Sequence, residues 1–303
     1  MTLSLLLSSA FAADYVLIAE SDSGCQLYID GTELVAEGCN VHIRNGSGTT
    51  SKANGVGNLV VGYDEDYSND KTGSHNLVVG PYHDYTNVGG IVGGYANSLD
   101  AAHSTVAGGI NNTADAGFTS VLGGVRNEAS GLASTVSGGT DNHADGYYSS
   151  IGGGWYNQTT GSWSNISGGV YNEATGEYAS ILGGIYNMAD GSKSTVSGGI
   201  RNDATGPWSS VSGGEYNVAS GDAASISGGV YNDAPGIHAS VLGGYGNEAT
   251  GIYTSILGGQ YNSADSYYSV VVGGMYNDAA HKGSVALGGF NEDTESYADI
   301  TKL

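Results

Sequence analysis

The sequence predicts an all-β protein: a flattened, two-sided β-solenoid, or β-roll, of fifteen-residue coils with a small N-terminal cap. Three observations predict it. Adjacent glycines recur every fifteen residues, from Gly93-Gly94 to Gly288-Gly289. Each repeat splits into halves, S-x-V-x-G and N-x-A-x-G, and both alternate with the period of two that belongs to strands. Glycine accounts for 53 of 303 residues while Phe, Trp and Met number 3 each, too few large side chains for a globular core of that length. A disordered chain of this composition would need no register, and here the register is strict.

The elements follow in order. Leu3 to Ala12 is a short apolar run ending in Ala10-Phe11-Ala12, a small-x-small cleavage site. It reads as a signal peptide, residues 1–12, too short to span a bilayer. Residues 13–56 form the N-terminal cap. Its two cysteines, Cys25 and Cys39, are an even count in an exported chain and are expected to pair. Between them QLYI and TELVA flank Asp30-Gly31, the signature of a hairpin. Residues 57–290 are solenoid, irregular over 57–88, where GNLVVG and SHNLVVG carry the half-repeat, and regular over 89–290. Residues 291–303 lose the pattern and form the C-terminal cap.

Each repeat position has a cause. Let the glycine pair fall at positions 5 and 6, with the first repeat starting at Gly89. Position 3 is Val or Ile in thirteen repeats, from Ile91 to Val271, and position 11 is mostly Ala. Large against small suits two sheets packed about 10 Å apart. Positions 1, 3, 5, 9, 11 and 13 should face inward, and 2, 4, 10 and 12 outward. Glycines at positions 5 and 13 are expected to take positive φ at the corners, the second glycine of the pair being the extra residue of a bulge. Position 9 is Asn without exception in Asn112, Asn127, Asn142, Asn157, Asn172, Asn187, Asn202, Asn217, Asn232, Asn247, Asn262 and Asn277. A buried amide at one place in every coil is expected to bond its neighbours as a ladder, with Ser at position 1 doing the same on the other side. Fourteen coils at about 4.8 Å per rung make a rod of roughly 65–70 Å.

These residues carry resemblances. STVSGG at 194–199 resembles the T-V-S-G unit of the grass antifreeze β-roll. The S-x-V-x-G and A-x-G alternation resembles YadA-like head repeats of trimeric autotransporter adhesins, which usually run to fourteen residues. With GCNVHIRNGSG (38–48) and the GNLVVGY and GSHNLVVG units, the chain is similar to exported bacterial β-roll repeat proteins. The resemblance covers about residues 57–290. It implies a left-handed roll and, through the adhesins, a trimer. The sequence shows neither the coiled coil and membrane barrel of an autotransporter nor the continuous Thr array of a strong ice binder.

Function is read from what is present. Eight Lys plus Arg against 30 Asp plus Glu give a formal charge of −22, unsuited to nucleic acid or anionic lipid partners. No stretch is long enough for membrane insertion. The seven histidines fall at different repeat positions with no zinc spacing, and no nucleophile elbow appears, so the chain is not expected to be an enzyme. No cofactor is implied. The insert Asp64–Asp70 reads as a solvated acidic loop, with Asp64, Asp66 and Asp70 as weak calcium candidates, because His75 stands where a calcium loop needs Glu.

Tyr156, Tyr171, Tyr186, Tyr216 and Tyr231 share position 8 and form a candidate ridge for a glycan or protein receptor. A second aromatic column, from Phe118 to Tyr268, shares position 15. The outward pair at positions 2 and 4 is hydroxyl-rich in mid-rod and turns apolar at Leu257, Val270, Val272, Val285 and Leu287, a candidate interface for a homo-oligomer. The expected function is a secreted or cell-surface rod with an adhesive or structural role. The alternative is ice binding through the flat Ser/Thr face, which Leu122, Leu182 and Leu242 interrupt.

Overall fold

The computed structural model describes residues 15–20, 24–65, 69–291 and 300–301, the first and last of these as backbone alone. The expected signal peptide lies outside the described residues, as do Asp66 and most of the C-terminal cap. The chain divides into two compact units, residues 1–44 and 45–303. Among the described residues there is no helix, and so none long and apolar enough to cross a membrane.

The first unit is an antiparallel meander of β1 (Tyr15–Glu20), β2 (Gln26–Asp30) and β3 (Glu33–Glu37). Asp30 pairs with Glu33, so the two-residue turn is Gly31-Thr32 rather than Asp30-Gly31, with Gly31 at φ +56°. A disulfide joins Cys25 and Cys39 across the strand ends, their Cα atoms 4.9 Å apart.

The second unit is a β-solenoid with two parallel ladders. One holds 17 strands and carries position 3, from Leu59–Val61 through Val285–Ala286 to Ile300–Thr301. The other holds 10 and carries position 11, from Asp84–Tyr85 to Val218–Ala219, continuing as single bridges to Asp278. Position 7 forms a third line of bridges, from Tyr95 to Phe290, along one narrow edge. Between the ladders lies a core one side chain deep on each side: Val106, Val121, Val136, Ile151 and Ile166 face Ala114, Ala129, Ala144, Thr159 and Ala174, all at most 1% exposed.

The Asn column is fully buried. The backbone N–H of Asn187 donates to Oδ1 of Asn172 at 3.0 Å. Its Nδ2 reaches the carbonyls of Gly183 in its own coil and Gly199 in the next, at 3.0 and 3.1 Å, and Oδ1 of Asn172 at 3.2 Å. Two amide hydrogens thus serve three acceptors. The column starts on His83, which is fully buried: its Nδ1 accepts from the Asn97 N–H at 3.1 Å. The proton therefore sits on Nε2, which donates to the Val79 carbonyl four residues back at 3.1 Å, as the Asn amides do.

Three expectations are corrected. First, Ser at position 1 builds no ladder: Ser104, Thr119, Ser164 and Thr254 donate to the carbonyl three residues back, closing their own corner. An amide link there occurs only early, where Oδ1 of Asn58 accepts from Asn76 N and Oδ1 of Asn76 from Gly90 N. Second, Val92, not Ile91, is the core residue of the first coil, because Val78 pairs with Val92 and Val92 with Val106. Ile91 points out and is 45% exposed.

Third, the extra residue is the first glycine of each pair from Gly108-Gly109 onward. Val92 lies two residues before Gly94, as Val78 does before Gly80, whereas Val106 lies three before Gly109. The second glycine has the positive φ, +89° at Gly199, and a methyl there would overlap the Gly214 carbonyl and the Asn202 amide. The first, Gly198, faces open space. Position 13 has no positive φ; Gly146 is required there because the Gly161 carbonyl of the next coil lies against it.

The two members of a pair should therefore respond oppositely. Gly198→Ala is expected to change stability by no more than about 0.5 kcal/mol. Gly199→Ala is expected to cost upwards of about 1–3 kcal/mol through backbone strain alone. Thermal denaturation of both variants checks this, and equal losses would show that the bulge has been placed on the wrong residue.

Candidate binding surfaces

Both corners carry left-handed residues that are not glycine. Position 8 holds Tyr156, Tyr171, Tyr186, Arg201, Tyr216 and Tyr231 at φ +52° to +57°, and position 15 holds Tyr148, Trp163, Tyr178, Lys193 and Trp208 at +56° to +61°. Aromatic residues rarely adopt this conformation. A hydrogen-bond reversal accounts for it. The residue before the position-8 corner donates its N–H to the following coil, as Val125 does to Gly139, but at both corners the left-handed residue donates to the preceding one, as Tyr171 does to Trp155 and Trp163 to Tyr147.

Repeated every coil, the corners form columns. Tyr156 and Tyr171 stack with ring centroids 4.9 Å apart and planes 2° from parallel, and Tyr171 and Tyr186 do so at 4.9 Å and 6°. Arg201 continues the stack, its guanidinium 5.4 Å from the Tyr186 ring and 5.3 Å from the Tyr216 ring, donating to the Tyr216 hydroxyl at 2.7 Å. Tyr216 and Tyr231 stack at 4.8 Å. At Gly246 the column lacks a ring, and Tyr245 of position 7 fills in edge-on between Tyr231 and Tyr261. Below the tyrosines Arg126 grips Asp141 with two hydrogen bonds of 2.7 and 2.6 Å, which hold the Asp141 carboxyl below its ordinary range. Burial first, then the neighbouring Tyr156 and Tyr186, raise the Tyr171 phenol.

All five predicted ridge tyrosines are thus in one line. Stacked rings cover one another's faces, so the column shows edges and hydroxyls to solvent. Beside it run two open grooves, one of about 470 Å³ between Tyr156–Tyr186 and His143, Gln158 and Glu173, the other of about 590 Å³ beside Arg201, Asp203 and Tyr231.

The two broad faces differ in charge. The outward row of the Ala ladder includes Glu128, Glu173, Asp203, Asp233, Glu248 and Asp278. Asp203 lies between Met188 and Val218 in register, and burial by these neighbours raises its carboxyl. Burial likewise raises Asp100, as do Asp115, Asp84 and Asp70 nearby. The outward rows of the Val ladder, from Leu59 to Leu287, carry no charged side chain: aliphatic at Leu59, Val61, Leu77 and Val79, mostly hydroxyl from Thr105 to Ser227, mixed at Ser240/Leu242 and Ser255/Leu257, and aliphatic at Val270/Val272 and Val285/Leu287. At the C-terminal end Leu257, Val272 and Leu287 are exposed and Val270 and Val285 half-buried, on successive rungs. Ile300–Thr301 pair edge-on with Val285–Ala286, adding a rung.

Asp64 is engaged by its neighbours: Lys71 pairs with its Oδ1 at 3.0 Å and the Tyr85 hydroxyl donates to its Oδ2 at 2.8 Å. Asp70 accepts from the Thr72 N–H. Among the described residues no group of three or more His, Cys, Asp or Glu could hold a metal ion. The position-7 edge, with Ile110, Trp155, Ile185, Ile200 and Phe290 all exposed, was not singled out from sequence; its signal was a recurrent apolar residue just after most glycine pairs, with Thr140, Glu215 and Gln260 as exceptions.

The raised Asp203 carboxyl has a pH consequence. Its folded value lies above the unfolded one, so folding takes up a proton between them, and the charged form destabilises the native state at neutral pH. Asp203→Asn should raise Tm at pH 7, and the difference should shrink as pH falls toward about 3.9, the unfolded Asp value. Calorimetry at both pH values checks it; a difference that grows on acidification would reverse the sign. No protein-family profile and no curated protein sequence matches the chain.

Proposed function

We propose that the chain is a non-catalytic extracellular rod with an adhesive or structural role. The observation that supports this most is the lengthwise layout of its chemistry. Each side-chain type runs as a stripe along the coils, and acid, base and nucleophile converge nowhere among the described residues. A stripe suits an extended partner better than a small substrate. The disulfide fits an oxidising, extracellular setting. A glycan or protein receptor would meet the tyrosine column through hydroxyls and ring edges.

Ice binding is the second reading, favoured by one observation: Thr195/Ser197, Ser210/Ser212 and Ser225/Ser227 make an uncharged hydroxyl array on three successive rungs. Immobilised residues 13–303 on arrays of glycans and extracellular proteins should retain a partner, at least tenfold more weakly after Tyr171→Ala. Thermal hysteresis that Thr195→Tyr abolishes would overturn the adhesive reading.

We further propose that the uncharged face joins copies of the chain, since the opposite face would set carboxylates against carboxylates. Light scattering should give a multiple of the monomer mass, a trimer by the adhesin resemblance, and Val272→Asp with Val285→Asp should lower it. A monomeric mass for both would remove the oligomer.

A further inference from the structure

The position-15 column has open rungs. His103 stacks on Phe118 at 5.5 Å, Tyr148 on Trp163 at 5.6 Å, Trp163 on Tyr178 at 5.1 Å, and His238 on Tyr253 at 4.8 Å. Between Phe118 and Tyr148 stands Ala133, and between Trp208 and His238 stands Ala223. The backbone does not change there: Ala133 and Ala223 have φ +57° and +53° and make the same reversed hydrogen bonds, to Gly117 and Pro207. Only the ring is missing. Each gap is two rungs high, about 9.6 Å at 4.8 Å per rung, enough for one flat group between two ring faces. Phe118, Tyr148 and Trp208, which border the gaps, are 63%, 53% and 58% exposed, against 47% and 46% for Trp163 and Tyr178 inside a stack.

The chain itself shows what such a gap takes. At three other places a ring is missing between two rings: Tyr245 fills the gap at Gly246 edge-on from the neighbouring row, and a cation fills the other two. Lys193 sets its ammonium 3.7 Å from the centre of the Trp208 ring. Arg201 lies between Tyr186 and Tyr216, close to both. A planar guanidinium touches two faces where an ammonium touches one. The surroundings favour positive charge as well. No Lys or Arg occurs between Arg201 and Lys282, and Asp222 adjoins Ala223; the nearest arginine before Ala133, Arg126, is spent on Asp141.

We propose that the rungs at Ala133 and Ala223 are two slots for arginine side chains of a basic partner segment. They lie six coils apart on one column, about 29 Å, which an extended peptide spans in about nine residues. The slots name a partner chemistry for the rod and rest on that reading for their setting alone.

The test uses synthetic Gly/Ser peptides with two arginines nine positions apart, the same peptide with two lysines, and one with arginines three positions apart, followed by calorimetry and tryptophan fluorescence. The widely spaced arginine peptide should bind at least tenfold more tightly than either control, because both ends engage at once. Ala133→Tyr with Ala223→Tyr, which completes the column, should raise Tm and reduce that peptide to the affinity of the lysine control. Ala133→Lys with Ala223→Lys, built on Lys193, should do the same without adding rings. Undiminished binding to the filled variants, or equal binding of the three peptides, would show attraction by net charge only and overturn the slots, as would no binding at all. None of these results touches the rod reading, which falls only if the array assay fails or thermal hysteresis appears.

Discussion

The amide of one asparagine per coil is the constraint on which the rest depends. It bonds the preceding Asn, its own corner and the following corner at once, so successive coils cannot slide past each other there. Losing one such amide would leave several buried partners unmet, at about 1–3 kcal/mol each. Where the column begins, an imidazole holding one proton on Nε2 meets the same demand. What that corner requires is one donor and one acceptor in fixed places, and His83 supplies both while the coil is one residue shorter.

A locked register makes every column meet itself once per rung, which decides what each can contain. Rings gain from it. Like charges lose, and the chain, at −22, mostly keeps carboxylates apart. Along position 12 Asp145, Asp190 and Asp265 each follow a Ser or Thr whose hydroxyl donates to them from the coil before: Ser130, Thr175 and Thr250. Along position 10 Asp203 is separated from other acids by Met188 and Val218, at the cost of losing water. Charge is thus carried on one broad face, and the other is left without any.

The period, the two ladders, the inward Val, Ile, Ala and Asn, the disulfide and both aromatic columns were legible in the residues, because each depends on side-chain type at a fixed spacing. What was not legible depends on backbone geometry. Nothing in the letters Gly-Gly tells which glycine is the insertion; the pairing of Val92 with Val106 does. Ile91 and Val92 are interchangeable as letters, and only the shorter early coils show which faces inward. The left-handed corners were hidden most completely. Tyr and Trp do not seek that conformation, and the stack imposes it through hydrogen bonds to the coil below.

The same ladders leave bonding groups at their ends. Within a strand successive residues face opposite neighbours, Thr195 donating to Ser209 of the following coil while the Val196 carbonyl accepts from Leu182 of the preceding one, so a bare end rung would show both donors and acceptors. Those ends are mutually complementary and would join head to tail, the route by which stacked strands grow into fibres. Irregular first coils weaken this complementarity: Val60 and Val78 are 18 residues apart in register, three more than in a regular coil. Beyond the last regular coil Ile300–Thr301 pair with Val285–Ala286 and cover that rung. Irregularity at either end of the repeats is therefore the complement of strict repetition between them: it works against edge-to-edge pairing of one stack with another.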